Sequence, residues 1–377
     1  MSGSGWTITV RDGAGSRLGI VDVYDKLTML DAHLDVGAFV LEMDLDDPLV
    51  PDLIAPGAGI VVELDGVAKF SGPCRPVEIK IDGATRSITL AGPSDLTILR
   101  DRTASPQPGT ATAPYSVSAY DIRAGAGETV IKAYVDVNAG PGAVLARRAP
   151  GFSIAADGAR GPTLTGRLRW GNMLDRVVEL ATLAGLGLRC VDQVFDVYEP
   201  VDRSADVEFS VARGSLAAIS YRRDAPVATY AYVGGGGEGT ARTIVEAENS
   251  TALAEGWPRI EIFSDRRDTT DPTELAQAAT AALIGEDSAD TTRLGVTVTP
   301  TDTPGTAYGT DYELGDTVAW VDPWGTKYPL AVQAVKVEIT PSGVTAEPTL
   351  GTILPETSAQ FQRLRALARR TARLENR

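Results

Sequence analysis

Apolar and polar residues alternate at the start of the chain, which is the pattern of a half-buried β-strand. Trp6, Ile8 and Val10 are separated by polar neighbours, and residues 30–36 repeat this period. A strand directs successive side chains to opposite faces, so an alternating segment buries one face and exposes the other. The first part of the chain is therefore predicted to be built from strands.

Two Asp-Gly pairs divide the same part of the chain into hairpins. Asp65-Gly66 and Asp82-Gly83 each lie between apolar runs, and Asp-Gly favours the positive φ angles of a tight turn between paired strands. A meander of this kind without helices tends to close on itself. Residues 1–102 are therefore predicted to form a small N-terminal β-barrel.

Helical patterns appear after a connector rich in Pro, Thr and Ala at residues 103–116. Residues 172–184 carry one apolar stripe, with Asn172 placed to cap the first turn and Gly185 placed to end the helix. The stripe consists of Met173, Leu174, Val177, Val178 and Ala181. This spacing predicts a helix.

A second helix is predicted at residues 272–284. Asp271 and Glu274 have the spacing of a capping box, Pro272 stands in the first turn, and Gly285 follows the last one. Both ends of this helix are thus marked in the sequence.

The middle of the chain mixes these helices with strand-like segments. A further helix is predicted at residues 128–137. The strand-like segments are 227–233, 242–248 and 259–263. The mixture indicates α+β structure, divided between a domain of residues 117–225 and one of residues 226–290.

The strand pattern returns near residue 292. The apolar segments are 294–298, 317–321, 328–339 and 344–350. Residues 291–352 are predicted to form a second small β-barrel. The segment 335–339 echoes 77–81, and each is followed by a Gly turn and another strand, so a duplicated barrel is one interpretation.

The last segment, residues 355–377, is predicted to be a basic helix, because it contains six arginines and only two glutamates. Thr357 and Gln360 form a capping box just after Pro355. Apolar residues keep heptad spacing for little more than one heptad, so the helix needs copies of itself or another protein as a partner. The predicted contact residues are Phe361, Leu364, Leu367 and Leu374.

The charge balance argues against a surface that binds nucleic acid. The chain carries a net charge of −15 and has a pI near 4.6, whereas a DNA-binding protein needs Lys and Arg to neutralise phosphates. An acidic surface suits the wall of a conduit for DNA, although solubility explains it equally well. The start of the sequence lacks the pattern of a signal peptide, and no segment approaches the roughly 18 apolar residues of a membrane span.

The residue types give little support to metal or nucleophilic chemistry. One histidine, His33, and two cysteines, Cys74 and Cys190, cannot build a four-cysteine zinc or iron–sulfur site. The two thiols are expected to be free and reduced. His33 stands between Asp31 and Asp35, but on a strand these carboxylates are about 13 Å apart, so a solvated strand face is the favoured interpretation.

Gly234-x-Gly236-x-x-Gly239 has the glycine spacing of a dinucleotide-binding fingerprint but not its structural setting. That fingerprint requires a helix whose N-terminus receives the pyrophosphate. Residues 240–248 alternate like a strand instead, so a turning loop between two strands is predicted. No catalytic, cofactor or metal site is predicted for the chain.

Three segments together resemble one family of proteins. They are GRLRWGNMLDRVVELATLAGLGLRC at 166–190, FSVARGSLAAISYRRDAPVATYAYVGGGGEGTAR at 209–242, and YELGDTVAW at 312–320. In order and spacing they resemble the tail hub or tail-associated proteins of actinobacterial siphoviruses, which are minor tail proteins similar to baseplate hubs. The early VRD and the later VELDGVAKFSG also fit the N-terminal barrel of that family.

The resemblance implies a structural role. Such hubs are trimers with two similar β-barrels in each subunit, so that three copies match a six-fold tail tube, and their carboxyl end leads to a central fibre or spike. Many relatives carry a long C-terminal extension with lytic or receptor-binding modules. Because this sequence stops at Arg377, such a module is not expected in it.

The sequence thus predicts a β-rich α+β protein, with N- and C-terminal small β-barrels flanking an α+β middle and a terminal helix. The expected function is that of a non-enzymatic homotrimer at the distal end of a tail in the virion. Its expected partners are the distal tail or tube protein and a central fibre or spike, and the genome is expected to pass through its lumen without sequence-specific binding.

Two other functions stay open. A host-receptor module would bind carbohydrate through Trp320, Trp324 and Tyr328, although such residues are more often buried anchors in a barrel. A cell-wall hydrolase component would need a pair of carboxylates that the sequence does not single out. The sequence hardly separates a siphovirus hub from the hub of a contractile tail.

Overall fold

The computed structural model describes residues 5–75, 77–83, 85–113, 117–226, 228–284, 293–300 and 305–351. Strands make up 43% and helices 17% of the structure, which confirms the predicted β-rich α+β class. The predicted terminal helix at 355–377, with its contact residues Phe361, Leu364, Leu367 and Leu374, lies outside the described residues.

The N-terminal region consists of strands joined by short turns. Its elements are β1 (Trp6–Arg11), β2 (Arg17–Ile20), β3 (Lys26–Ala32), β4 (Ala38–Asp44), α1 (Val50–Leu53), β5 (Gly59–Leu64), β6 (Val67–Pro73), β7 (Val77–Asp82), β8 (Thr85–Pro93) and α2 (Thr97–Arg100). Asp65 and Gly66 take φ angles of +50° and +79° between β5 and β6, so the hairpin predicted there is confirmed. The predicted strand through residue 36 is wrong, because β3 ends at Ala32 and the chain turns at Leu34 with a φ of +56°.

The middle region packs two helices on two small sheets. Its elements are β9 (Asp121–Ala126), α3 (Gly127–Ala139), β10 (Ser153–Ile154), β11 (Thr163–Leu168), α4 (Met173–Ala184), β12 (Gly187–Val191) and β13 (Val194–Tyr198). The predicted ends of α4 are confirmed: the side chain of Asn172 accepts a hydrogen bond from the backbone N–H of Leu174 at 3.0 Å, and Gly185 has a φ of +66°. A hydrophobic core that includes Tyr134 and Phe195 joins the helices to the sheets.

A small α+β unit follows two strands, β14 (Glu208–Phe209) and β15 (Leu216–Asp224). Its elements are β16 (Tyr230–Gly234), β17 (Ile244–Glu248), α5 (Ser250–Ala254), β18 (Glu261–Asp265) and α6 (Pro272–Ile284). Asp271 accepts a hydrogen bond from the backbone N–H of Thr273 at 2.8 Å, which fixes the predicted start of α6. The helix packs on the sheet through Val233, Leu275 and Ala279.

The C-terminal strands join the N-terminal strands in one ten-stranded sheet. They are β19 (Arg293–Pro300), β20 (Thr317–Val321), β21 (Lys327–Thr340) and β22 (Gly343–Gly351). The main path of the sheet is β15–β19–β22–β21–β3–β4–β8–β7, with β20 and β14 attached to β21. β3 and β21 are antiparallel, from Leu27 opposite Ile339 to Ala32 opposite Ala334. The sequence suggests two separate β regions, whereas the structure connects them through this ladder.

One hydrophobic core lies beneath both β regions. The four-stranded sheet β2–β1–β5–β6 packs on the N-terminal half of the ten-stranded sheet. The same cluster of buried side chains includes Phe39 and Ile60 from the N-terminal region and Val296 and Trp320 from the C-terminal region. In the part of the chain that the structure describes, none of the helices has the length and apolar character needed to cross a bilayer.

Two strands of the predicted middle domain pair with C-terminal strands. β14 and β15 lie within the predicted domain of residues 117–225, and they pair with β20 and β19. The two segments of the sequence echo form the hairpins β7–β8 and β21–β22 of the same sheet. That these hairpins descend from a duplication stays a prediction.

Candidate functional site

The face of the ten-stranded sheet that points away from the hydrophobic core is polar over most of its width. Residues that pair across a ladder share a face of the sheet, and the registers place small hydroxyl and charged side chains together here. They are Glu78, Lys80 and Asp82; Ser87 and Thr89; Glu42 and Asp44; Lys26 and Thr28; Lys336 and Glu338; Thr345, Glu347 and Thr349; Thr297; and Ser220 and Arg222. Carboxylates outnumber cations in this set, so the face is weakly acidic.

Ion pairs cross the junction between the two β regions on this polar face. Lys26 Nζ on β3 lies 3.0 Å from the Glu338 carboxylate on β21, and Lys336 Nζ lies 2.9 Å from Glu338 and 3.4 Å from Glu347 on β22. Partial burial disfavours the charge of Glu338, but hydrogen bonds from Lys336 and Lys26 outweigh it and hold the pKa of Glu338 below its ordinary value. These two lysines are engaged by carboxylates and are poorly placed to bind phosphate.

The path of eight strands ends in an open edge on each side. β7 pairs only with β8 and β15 only with β19 among the described strands. β7 exposes 53% of Ile79 and 59% of Ile81, and β15 exposes 40% of Tyr221. An edge strand with exposed apolar side chains is a template for pairing with another chain, so both ends of the sheet are suited to assembly.

A buried ion pair fixes the middle region against the N-terminal region. Arg11 on β1 donates a hydrogen bond to Asp95, and 1% and 2% of these two side chains are exposed. The other oxygen of Asp95 accepts hydrogen bonds from Ser71 Oγ at 2.6 Å and from the backbone N–H of Gln193, between β12 and β13, at 3.2 Å. Burial raises the pKa of Asp95, and the charge of Arg11 opposes this rise. The network sets the orientation of the middle region relative to the sheet.

The sequence matches the model of a known protein family. A model of the Siphovirus ReqiPepy6 Gp37-like protein family matches residues 7–352. The chain belongs to this family. The resemblance to siphovirus tail proteins seen in the sequence is thereby confirmed, while an actinobacterial origin stays a prediction.

Solved structures with a similar fold include three proteins described as tail proteins. The 43 kDa tail protein of prophage MuSo2 from Shewanella oneidensis has a TM-score of 0.63 and 14% identity, over 92% of this chain and 98% of that one. The tail protein from Neisseria meningitidis MC58 has a TM-score of 0.58 and 14% identity, over 92% and 96%. Prophage tail protein gp18 from Listeria monocytogenes EGD-e has a TM-score of 0.59 and 12% identity, over 97% and 99%. These similarities show a shared fold, and the search of curated proteins gave no match.

Asp31 and Asp35, which flank His33 in the sequence, lie in a cleft instead of on the predicted solvated strand face. Asp31 and Asp35 line this cleft of about 630 Å³, to which the N-terminal, middle and C-terminal regions all contribute. His33 Nδ1 is 2.9 Å from the hydroxyl of Tyr198 on β13. Burial lowers the pKa of His33 to about 4 and raises that of Asp31 to about 7. The interpretation as a solvated strand face is wrong, because β3 ends at Ala32, so the three residues do not share one strand, and each of them is only partly exposed.

The glycine-rich segment forms a loop between the strands β16 and β17, as the sequence predicts. The guanidinium of Arg242 donates hydrogen bonds to the carbonyl oxygens of Gly234 and Gly235, both at 2.9 Å. The loop contains one turn of 3-10 helix at Gly239–Ala241. It therefore binds an arginine of its own chain and lacks the long helix that a pyrophosphate needs. Across the described ranges, no three His, Cys, Asp or Glu side chains are placed to hold a metal ion.

The three aromatic residues considered for carbohydrate binding have different environments. Trp320 is 1% exposed and stacks on Tyr328 with 5.6 Å between ring centroids, so it is the buried anchor that the sequence favoured. Trp324 is 76% exposed in the turn between β20 and β21, and it contacts Tyr221 edge-on at 6.3 Å. The three rings therefore do not form one exposed stacking surface.

Proposed function

We propose that this chain is a non-enzymatic structural subunit of a phage tail tip. In this role it assembles as a homotrimeric hub, joins the six-fold tail tube to the distal tip or central fibre, and lines the channel through which the genome leaves. Its place is then in the virion, at the distal end of the tail. Membership of a siphovirus family and the fold shared with proteins described as tail proteins support this role.

The observation that carries the proposal is the open path of the ten-stranded sheet. The path has eight strands and an unpaired edge at each end, so identical copies can join head to tail and close a ring. With about 4.8 Å per strand and a strand tilt of about 40°, three copies form a ring with a backbone diameter of roughly 50 Å. Such a ring leaves a lumen wide enough for a DNA duplex.

The polar face is suited to line that lumen. Its carboxylates repel phosphates, and two of its lysines are held in ion pairs, so the wall offers few contacts that would retain DNA. The hydrophobic core lies on the opposite side of the same strands. The two β regions of each copy give a trimer six similar sectors, which matches the six-fold tube.

The terminal segment is proposed to serve the distal contacts. The residues Phe361, Leu364, Leu367 and Leu374 remain the predicted contact set there. Because the positive charge of residues 355–377 contrasts with the acidic remainder of the chain, an acidic partner or neighbouring copy is the surface that fits it.

A pair of edge substitutions tests the trimer. Ile79→Asp with Ile81→Asp places two carboxylates on the edge strand β7. We expect the mass from light scattering to fall from that of a trimer, three times 39.6 kDa, to that of a single chain of 39.6 kDa. The matched control is Leu18→Asp with Ile20→Asp on β2, an edge of the four-stranded sheet with exposures of 44% and 52%. The control should keep the trimer mass and a three-fold ring in negative stain. A β7 variant that stays trimeric would contradict the ring closure.

A further inference from the structure

We infer that one register pairs neighbouring copies: β7 of one copy lies antiparallel to β15 of the next, with Ile79 opposite Tyr221. This inference rests on the proposed trimer and specifies its interface. Each of the two residues lies on the core-side face of the sheet, since Ile79 is opposite Ile88 and Tyr221 is opposite Val296. Both ends of the sheet thus leave apolar side chains uncovered on the same face.

The direction of the pairing follows from the strand count. All neighbours along the path from β15 to β7 are antiparallel. In a path of eight alternating strands the first and last run in opposite directions. Head-to-tail closure therefore places β7 and β15 antiparallel, which continues the ladder without a change of pattern.

Cross-strand chemistry selects the register. With Ile79 opposite Tyr221, the same alignment sets Ile81 opposite Ile219 on the apolar face and Glu78 opposite Arg222 on the polar face. Apolar pairs and opposite charges directly across a ladder both stabilise it. All three matches thus arise from one alignment.

The neighbouring registers lose these matches. A shift of one residue turns the apolar face of one strand toward the polar face of the other. A shift of two residues in one direction puts Lys80 opposite Arg222, and like charges directly opposite destabilise a ladder. The same shift in the other direction puts Glu78 opposite Ser220 and moves Ile81 to the irregular position between Leu216 and Ala218.

The environment of Tyr221 also favours an incoming apolar side chain. Its ring lies 5.4 Å from buried Trp320 and 6.3 Å from Trp324, which is 76% exposed. The two indoles fix the tyrosine from one side and extend the apolar surface beyond β15. Ile79 of the neighbouring copy then contacts Tyr221 and covers part of Trp324.

Disulfide trapping distinguishes the registers in the full-length chain. Directly opposite residues have Cα atoms about 4.5–5.5 Å apart, within the range of a disulfide, whereas diagonal neighbours at about 7–8 Å exceed it. The variant with Ile79→Cys and Tyr221→Cys should form covalent trimers under mild oxidation. The control with Ile81→Cys and Tyr221→Cys should run as single chains on a non-reducing gel.

The native thiols do not interfere with this measurement. Cys190 is buried, and burial raises the pKa of Cys74 to about 12, so neither supplies a thiolate readily. If the protein has the mass of a trimer but the control pair forms the cross-link, the register is wrong although the trimer is supported. The same conclusion follows if the protein is trimeric and neither variant forms a cross-link. A wild-type chain that is monomeric under the same conditions would overturn the proposed trimer and the register together.

Charge exchange gives an independent measurement of the same alignment. Glu78→Arg alone and Arg222→Glu alone should each raise the dissociation constant of the trimer roughly two- to five-fold per interface, and the two changes combined should restore it. Asp82→Arg is the matched control, because this register places Asp82 opposite Ala218. Failure of the double variant to recover assembly would contradict the pairing of Glu78 with Arg222.

Discussion

The two β regions of this protein are built from the sequence in different ways. In the N-terminal region the strands follow one another through short turns, and β3–β4, β5–β6 and β7–β8 are each neighbours in the chain and in the sheet. In the C-terminal region β15 and β19 are paired neighbours, yet the whole small α+β unit lies between them in the sequence.

This difference separates local from non-local information. A hairpin can be predicted from turn residues such as Asp65-Gly66, because the two strands that pair are also the two that the turn connects. A strand whose partner is about seventy residues away carries no such signal. Both regions nevertheless share one core and one sheet. A substitution that destabilises either region should therefore destabilise the other as well.

The largest expected effect comes from the buried junction. Leu27 is fully buried on β3 and lies opposite Ile339 of β21. Leu27→Ala should lower the free energy of unfolding by about 2–5 kcal/mol, and faster hydrogen exchange should appear in β19 and β22 as well as in β4. Leu188→Ala, in the core of the middle region, is the matched control and should leave the exchange of β19 closer to wild type. Effects of Leu27→Ala confined to the N-terminal strands would show that the two regions unfold separately.

A smaller effect, dependent on pH, is expected at Asp31, which lies opposite Val335 at the same junction. Burial in the cleft raises the pKa of Asp31 to about 7, with the charge of Glu313 adding to the rise. The folded state therefore keeps this proton up to about pH 7, whereas the unfolded chain releases it near pH 4, so the carboxylate costs stability as pH rises from 4 to 7.

Asp31→Asn removes this cost. We expect the variant to gain roughly 2 kcal/mol at pH 8, half of the limit of about 4 kcal/mol for three pKa units, because the Asp31 side chain is only partly buried. The gain should vanish near pH 4, as measured by denaturant unfolding across this range. Asp22→Asn, at an exposed carboxylate, should show no such trend. An equal gain at pH 4 and pH 8 would contradict the burial of the Asp31 charge.

The smallest effect is expected on the polar face. Lys336→Met removes the cation between Glu338 and Glu347, and we expect a loss of no more than about 1 kcal/mol because partly exposed ion pairs contribute little. The loss should shrink in high salt. Lys80→Met on the exposed edge of β7 serves as the control. A loss well above this value would mean that the ion pairs hold the two β regions together.

Part of the candidate site could be predicted from the sequence. The apolar segments 77–81 and 328–339 identified β7 and nearly all of β21, and the capping residues Asn172 and Asp271 identified two helices, because these signals depend on neighbours in the chain. The edge strand β15 was missed, although Ile219 and Tyr221 alternate with polar residues. Its alternation is short and lacks turn residues of the Asp-Gly type.

The sequence by itself determined the class of the protein: strands with turns at both ends, capped helices in the middle, an acidic composition, and segments that resemble siphovirus tail proteins. Only the tertiary structure decided that β3 pairs with β21, that β15 and β7 are the open edges, and that Asp31 lines a cleft. The physical reason is that strands pair through backbone groups that are alike in every residue. An alternating pattern therefore predicts a strand and a buried face, whereas the partner of that strand is set by how the whole core packs.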